Sequence, residues 1–139
     1  MFLLDTNVVS ELRRAGSGKA DAQVVTWAEK VPAQRLFLST ITILEIEVGI
    51  LRLERKNSHR GSTLRSWLEN QVLDAFAGRI LPIDIPVAHQ CAQLHTPDPK
   101  PERDALIAAT ALVHGLTVVT RNTSDFAAMV EKTINPWQA

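Results

Sequence analysis

Short apolar runs alternate along this chain with longer stretches in which apolar residues recur at helical spacing. The short runs cover residues 2–4, 36–39, 79–83 and 117–120. Alternation of this kind predicts βα units, in which successive strands run parallel and helices cover both faces of the sheet. We therefore expect an α/β protein, a three-layer α/β/α sandwich with a mainly parallel central sheet.

The predicted helices are bounded by residues that start or stop helices. Thr6 or Asn7 is expected to cap the first helix, and a helix from Thr40 to about Leu53 is expected to be buried. The stretch 105–113 is apolar on all sides, which predicts a helix that is covered all round. Further helices are predicted at 24–31, 64–76 and 87–94, with loosened chain around 57–62 and a proline-rich loop at 97–101.

Length and composition indicate one domain spanning residues 1–139, with no internal repeat or boundary. Fifteen basic and fifteen acidic residues balance, so a polyanion must be held by a local patch or a metal rather than by the overall charge. Cys91 is the only cysteine, which excludes an internal disulfide. Without a signal segment or a membrane-length apolar run, a soluble cytoplasmic protein is expected.

Acidic side chains follow the first and last of these short runs. Asp5 ends the first run, and Asp125 lies in the corner after the last one. Asp104 precedes the apolar helix, whose N-terminal dipole favours an ionised carboxylate. Because ligands bind beyond the carboxyl ends of parallel strands, these residues are candidates for a site.

A fourth candidate, Glu45, interrupts the apolar helix that starts at Thr40. Glu45 shares a helical stripe with Thr42 and Gly49, whereas Glu47 lies about 200° further round the helix. A carboxylate among apolar residues must be paired, bound to a metal or at the edge of a cleft. We therefore favour Glu45 over Glu47.

Carboxylates without thiolate or imidazole partners predict an oxygen-ligand site for Mg²⁺, with Mn²⁺ as a possible substitute. Such ions activate water for phosphodiester hydrolysis. Taken singly, however, an aspartate at the end of a strand is more often a helix cap or a turn residue.

Four motifs, in their order and spacing, resemble the signature blocks of PIN-domain proteins. They are Leu3-Leu4-Asp5-Thr6-Asn7-Val8-Val9-Ser10, Ser39-x-x-Thr42-x-x-Glu45-x-x-x-Gly49, Asp104-Ala-Leu-Ile-Ala-Ala-Thr-Ala and Thr117-Val118-Val119-Thr120-Arg121-Asn122-x-x-Asp125-Phe126. The chain is most similar to VapC-type toxins of bacterial toxin–antitoxin modules, including the FitB-like branch, whose C-terminal Asn-Pro-Trp has a counterpart here at residues 135–137. FitB-like relatives can carry an aspartate at the position of Asn122, whereas this chain has its carboxylate three residues later.

The resemblance implies a Mg²⁺-dependent endoribonuclease that is inhibited by a cognate antitoxin. It assigns the metal and the catalysis to Asp5, Glu45, Asp104 and Asp125, with polar support from Thr6, Asn7, Thr120 and Asn122. It also implies a homodimer, which apolar residues at 43–51 and 67–76 favour, and contact with operator DNA only through the antitoxin. The alternative is a non-catalytic PIN-like binding module that acts within a DNA-bound regulatory complex.

One stretch of the chain, residues 52–65, is clearly basic and is a candidate for contact with RNA phosphates. Its candidates are Arg52, Arg55, Lys56 and Arg60. Trp27 and Trp67 are at apolar helical positions, so we expect them to pack in the core rather than stack on bases.

The remaining nucleophilic and metal-ligating residue types are given structural roles. His59, His89, His95 and His114 show no metal-ligand spacing, and His114 suits the C-terminal end of a helix. Cys91 is expected to be a small buried residue.

Overall fold

The protein is described by a computed structural model that covers all 139 residues. Its five strands form one sheet in the order β3-β2-β1-β4-β5, and all four strand pairs are parallel. In the central pairings, Leu3 lies opposite Phe37 on one side and Val118 on the other. The strands are β1 (Phe2–Leu4), β2 (Leu36–Ser39), β3 (Ile80–Leu81), β4 (Thr117–Val119) and β5 (Thr133–Ile134).

Eight α-helices connect and cover these strands. Short 3-10 turns follow α1 at Arg14–Ser17 and precede β2 at Ala33–Arg35, and a π-helical segment, Leu68–Val72, joins α4 to α5. The helices are α1 (Thr6–Arg13), α2 (Ala22–Lys30), α3 (Thr40–Lys56), α4 (Ser58–Trp67), α5 (Leu73–Ala75), α6 (Ile85–Leu94), α7 (Glu102–His114) and α8 (Thr123–Phe126). None of them combines the length and the apolar character needed to cross a membrane.

The side chains of successive strand residues point to opposite faces of the sheet and pack in two separate cores, as expected for a sheet covered on both faces. Leu3 and Val118 pack with buried residues of α6 and α7. Leu4 and Val119 point to the other face, where they pack with α1, α3 and the π-helical segment. The α/β/α arrangement predicted from the sequence is therefore confirmed.

The first helix is capped by a residue other than those predicted. Asp5, rather than Thr6 or Asn7, occupies the N-cap, and its Oδ1 accepts the backbone N–H of Thr6 at 2.8 Å. The side chains of Thr6 and Asn7 are thus available for other contacts.

The loosened chain expected around residues 57–62 is instead a tight junction between two helices. Asn57 ends α3, with its N–H bonded to the carbonyl of Leu53, and caps α4 by accepting the N–H of Arg60 at 3.1 Å. Gly61 is buried, and a β-carbon added there would lie 2.7 Å from the Cα of Glu54. The glycine therefore serves close helix packing rather than flexibility.

Three further expectations are corrected by the structure. Leu112 and Val113 in the last turn of α7 are exposed, so the stretch predicted to be covered all round is covered only over residues 105–111. The third strand is confined to Ile80–Leu81, and α3 runs three residues beyond Leu53. The edge strand β5 was not predicted.

Candidate active site

The parallel pairing of β1 with β4 brings two polar side chains together at the carboxyl edge of the sheet. Asp5 follows β1 directly and Thr120 follows β4. The hydroxyl of Thr120 donates to Asp5 Oδ2 at 2.7 Å, and both residues are buried. The two motifs therefore meet because their strands are neighbours in the sheet.

Asp5 is held by three donors. Besides Thr120, the backbone N–H of Thr6 donates to Oδ1, and the side-chain amide of Asn7 donates to Oδ2 at 3.3 Å. The backbone N–H of Arg121 donates to Asn7 Oδ1 at 3.3 Å, which turns the amide nitrogen of Asn7 toward Asp5. Because a carboxylate oxygen accepts about two hydrogen bonds, Oδ2 is saturated while Oδ1 keeps a free acceptor site.

Glu45 reaches the same edge from α3. The hydroxyl of Thr6 donates to Glu45 Oε1 at 2.6 Å and lies 3.1 Å from the hydroxyl of buried Thr42. The other oxygen, Oε2, is 3.8 Å from the guanidinium of Arg103. Thr6 therefore connects the end of β1 to the carboxylate on α3.

Burial and mutual repulsion raise the pKa of two of these carboxylates. Burial is the main cause that raises the pKa of Asp5, partly offset by its bonds to Thr120 and Thr6, with Glu45 and Asp125 adding repulsion. Burial also raises the pKa of Asp104, in the first turn of α7, with further repulsion from Asp5, Asp125 and Glu45. The four acidic residues thus interact electrostatically within one site.

The site opens into a cavity of about 580 Å³, which we call the acidic cavity. Asp125 is not among its lining residues, although its charge acts on Asp5 and Asp104. Of the predicted residues, those that line it are Asp5, Thr6, Asn7, Glu45, Asp104 and Asn122. Thr120 lies behind Asp5, where its hydroxyl also accepts the backbone N–H of Asn122 at 3.0 Å.

The cations and the aromatic residue of the cavity were missed in the sequence. Arg13 and Arg14 line the cavity from the end of α1, and Arg121 lines it with its guanidinium 5.2 Å from the ring of Trp137. The only sequence signal was indirect: Arg121 lies inside one signature motif, and Trp137 lies in the C-terminal Asn-Pro-Trp.

Glu47 faces away from this cavity, toward α4. Its carboxylate accepts from Arg65 at 3.1 Å, and Arg65 also pairs with Glu54 at 3.0 Å. These bonds lower the pKa of Glu54 and raise that of Arg65. Arg65 is therefore engaged in joining α3 to α4.

The basic candidates for RNA contact lie around the junction of α3 and α4. None of the four lines the acidic cavity: Arg52, Arg55, Lys56 and Arg60. Their role in binding RNA stays a prediction.

Both tryptophans pack against the second core, as predicted, and Trp27 also makes an edge-to-face contact with Phe2 at 5.4 Å. Trp67 is half-buried against the second core and also carries the guanidinium of Arg13 at 5.8 Å from its ring. A cation on one side of a ring leaves less of it for stacking on a base.

Three potential ligand atoms lie within 4.8 Å of one another elsewhere, on Cys91, His95 and Glu102. The spacing of four residues between Cys91 on α6 and His95 at the C-cap of that helix, missed in the sequence, produces this cluster. However, His95 Nδ1 accepts the N–H of Lys100 at 3.0 Å, so the neutral ring carries its proton on Nε2, the nitrogen facing the cluster. Burial also raises the pKa of the Cys91 thiol. This arrangement disfavours a metal and fits a structural role for His95 and the buried Cys91.

Comparisons with known proteins agree with this geometry. The PIN domain family model matches residues 2–132. The chain is 39% identical to the Toxin FitB of Neisseria gonorrhoeae and 37% identical to the VapC ribonuclease Y4jK of Sinorhizobium fredii, in both cases over 99% of each chain. Among solved structures, it matches that of FitAB bound to an IR36 DNA fragment with a TM-score of 0.87 and 38% identity, over 99% of this chain and 96% of that one.

Proposed function

Because this chain belongs to the PIN domain family, we propose that it is a metal-dependent endoribonuclease and the toxin of a toxin–antitoxin pair. The observation that carries the proposal is the convergence of Asp5, Glu45 and Asp104 on one cavity at the carboxyl edge of the sheet. Two relatives, described as a toxin and as a VapC ribonuclease, support it over the full length of the chain.

The side chains of the acidic cavity fit Mg²⁺, with Mn²⁺ as a substitute. Its potential ligands are all oxygen atoms, which such hard cations prefer. Their mutual repulsion, which contributes to the raised pKa values of Asp5 and Asp104, is what a dication would relieve. Asp5, Glu45 and Asp104 would hold the ion, with Asp125 acting directly or through water.

When bound, such an ion lowers the pKa of a water molecule and neutralises charge on the phosphoryl oxygens of the substrate. The chain's own residues set up that chemistry. Thr120 and Asn7 fix Asp5 by occupying Oδ2, which leaves a free acceptor site on Oδ1. The hydroxyl of Thr6 donates to Glu45, and the backbone N–H of Asn122 donates to the hydroxyl of Thr120.

The cationic side chains that line the cavity are suited to bind the substrate. Arg14 and Arg121 line the same cavity as the carboxylates, where their guanidinium groups can donate to phosphate oxygens. The predicted RNA contacts Arg52, Arg55, Lys56 and Arg60 would extend this surface over the outer end of α3.

The antitoxin is the second proposed partner. A mainly apolar cavity of about 250 Å³, lined among others by Leu12, Trp67 and Phe76, lies beside the acidic cavity and shares Arg13 with it. An antitoxin tail could anchor there through apolar side chains and place an arginine among the carboxylates, in competition with the metal. Operator DNA would then be contacted through the antitoxin, which is consistent with the FitAB complex bound to an IR36 DNA fragment.

A homodimer is the proposed oligomeric state. Leu44 and Leu51 are both about half exposed and lie two turns apart on α3, where they present apolar surface to solvent. Sedimentation should show a dimer at micromolar concentration and a shift toward monomer for Leu51→Glu. A wild-type protein that sediments only as monomer would contradict this.

The experiment that tests the function compares thermal stability and RNA cleavage across a Mg²⁺ titration. A ligand that binds only the folded state raises the melting temperature as its concentration exceeds its dissociation constant. Wild-type protein should gain stability and cleave RNA over the same Mg²⁺ range, whereas the Asp104→Asn variant should do neither. A non-catalytic binding module would show neither effect in the wild type.

A further inference from the structure

A second cavity adjoins the acidic cavity at the end of α1. It has a volume of about 770 Å³ and lies between the 3-10 turn at Arg14–Ser17 and the outer face of α4. Arg13 and Arg14 line both cavities, so the two are neighbours that meet at these residues. We call this second cavity the basic groove.

The basic groove is lined by cations and hydroxyl groups. No carboxylate is among its eleven lining residues, although the chain has as many acidic as basic side chains. A polyanion in this otherwise neutral protein would be attracted locally to such a surface. The polar side chains used in the argument are Arg13, Arg14, Lys19, His59, Ser62 and Thr63.

A glycine-dependent turn sets the position of the cations. Gly18 adopts a left-handed backbone with φ of 72°, and its N–H bonds to the carbonyl of Ala15. The N–H of Lys19 then bonds back to the carbonyl of Arg14 at 3.1 Å, which brings these two residues side by side. Lys19 and Arg14 are both exposed.

The hydroxyl groups come from one face of α4. Ser62 and Thr63 follow His59 at helical spacing, while the opposite face packs on α3 through Gly61 and Arg65. The hydroxyl of Thr63 donates to the carbonyl of His59 at 3.1 Å and keeps its acceptor capacity.

We propose that the basic groove binds the sugar–phosphate backbone of single-stranded RNA whose scissile phosphate lies in the acidic cavity. The inference deepens the proposed function and rests on it. Arginine, lysine and hydroxyl donors position a strand through phosphate and sugar without reading its bases. Apart from the imidazole of His59, the groove has one aromatic ring, that of Trp67, and the guanidinium of Arg13 already lies over it. Stacking of bases on this ring therefore contributes little, so we expect the groove to bind RNAs of different sequence.

An acidic protein segment also matches cations, but RNA matches this surface better. Serine and threonine hydroxyls accept from and donate to the ribose 2′-hydroxyl, which a polypeptide lacks. The groove also adjoins the cavity that holds the carboxylates, with Arg13 and Arg14 lining both, so one strand could contact the two surfaces.

The test measures binding in chelator, with Asp104→Asn as the background so that RNA is not cut. Anisotropy of short labelled single-stranded RNAs of unrelated sequence is followed for Arg14→Ala, Lys19→Ala and the charge-matched control Lys132→Ala. Lys132 is exposed and lines a different cavity, near Leu112 and Gly115. We expect each groove variant to bind about tenfold more weakly on every sequence, as the loss of a charge-assisted contact implies.

Salt dependence distinguishes the phosphate contacts from indirect effects. The slope of log K against log salt should become shallower by about 0.7 for each lost contact. In the cleaving protein, Lys19→Ala should raise KM and leave kcat unchanged.

Equal affinity of Lys19→Ala and Lys132→Ala for RNA would overturn the inference. The inference would also be overturned if the groove variants lost binding to polyglutamate but bound RNA as before. The groove would then be assigned to an acidic protein. Failure of the proposed function looks different, because the wild type would then cleave no RNA at any Mg²⁺ concentration while binding in chelator stayed measurable.

Discussion

Removing the hydroxyl of Thr120 should lower the free energy of unfolding far more than removing the hydroxyl of another equally buried threonine. Thr120→Val keeps the shape of the side chain but removes its bond to Asp5 Oδ2, a carboxylate that is only 5% exposed. Water cannot replace the lost donor there, and the backbone N–H of Asn122 also loses its acceptor. The cost is therefore at least that of one charge-assisted hydrogen bond, about 2 kcal/mol of unfolding free energy. For a chain of this length that corresponds to roughly 6 °C in melting temperature.

Thr110→Val is the matched control. Thr110 is also fully buried, but its hydroxyl donates to the carbonyl of Leu106, which accepts a helical N–H as well. Its loss should therefore cost less than about 1 kcal/mol.

Urea denaturation of the metal-free proteins gives both values, and a Mg²⁺ titration gives the functional consequence. Thr120→Val should bind Mg²⁺ about tenfold or more weakly, because Asp5 is no longer oriented, whereas Thr110→Val should bind it normally. Equal destabilisation by the two substitutions, or unchanged Mg²⁺ affinity in Thr120→Val, would refute the reasoning.

Two further predictions concern packing and charge. Gly61→Ala should destabilise the protein by about 2 kcal/mol, because the added carbon meets the backbone of Glu54. Gly49→Ala, with no neighbour within 4 Å, should instead stabilise α3 by about 0.5–1 kcal/mol. Urea denaturation measures both changes, and equal effects of the two substitutions would contradict the close packing at Gly61. Because folding raises the pKa of Asp104, its carboxyl group contributes favourably to metal-free stability below its ordinary pKa of 3.8, and this contribution is lost as the pH rises through the folded-state pKa. The melting temperature of Asp104→Asn relative to wild type should therefore increase from pH 4 to pH 7, and a flat difference would show that the charged carboxylate is not disfavoured in the folded protein.

The sequence predicted the first four strands because each is a short apolar run beside a helix of clear periodicity. It also predicted that Asp5 and Asp104 lie near each other. Asp5 follows a strand of a parallel sheet, and Asp104 lies at the N-terminal end of a helix. It did not reveal the cap at Asp5, because Asp5, Thr6 and Asn7 are all good capping residues and only the tertiary partners decide among them.

The junction at Gly61 was misread for a related reason. A glycine in a sequence indicates either a flexible chain or close packing. Only the close contact between α3 and Gly61 in the structure shows that packing is the reason here. β5 was missed because two residues carry no periodicity, and its pairing depends on β4. The cations of the acidic cavity come from separate segments of the chain, so no local pattern marks them.

The rate of RNA cleavage as a function of Mg²⁺ concentration, for wild type, Asp104→Asn and Asp98→Asn, tests the central claim most directly. Asp98 lies exposed in the proline-rich loop and outside the acidic cavity, so its substitution controls for the loss of one surface charge. The account predicts saturable, chelator-sensitive cleavage by wild type and Asp98→Asn, and a rate at least about 100-fold lower for Asp104→Asn. Cleavage by Asp104→Asn at the wild-type rate, or wild-type cleavage that persists in chelator, would contradict it.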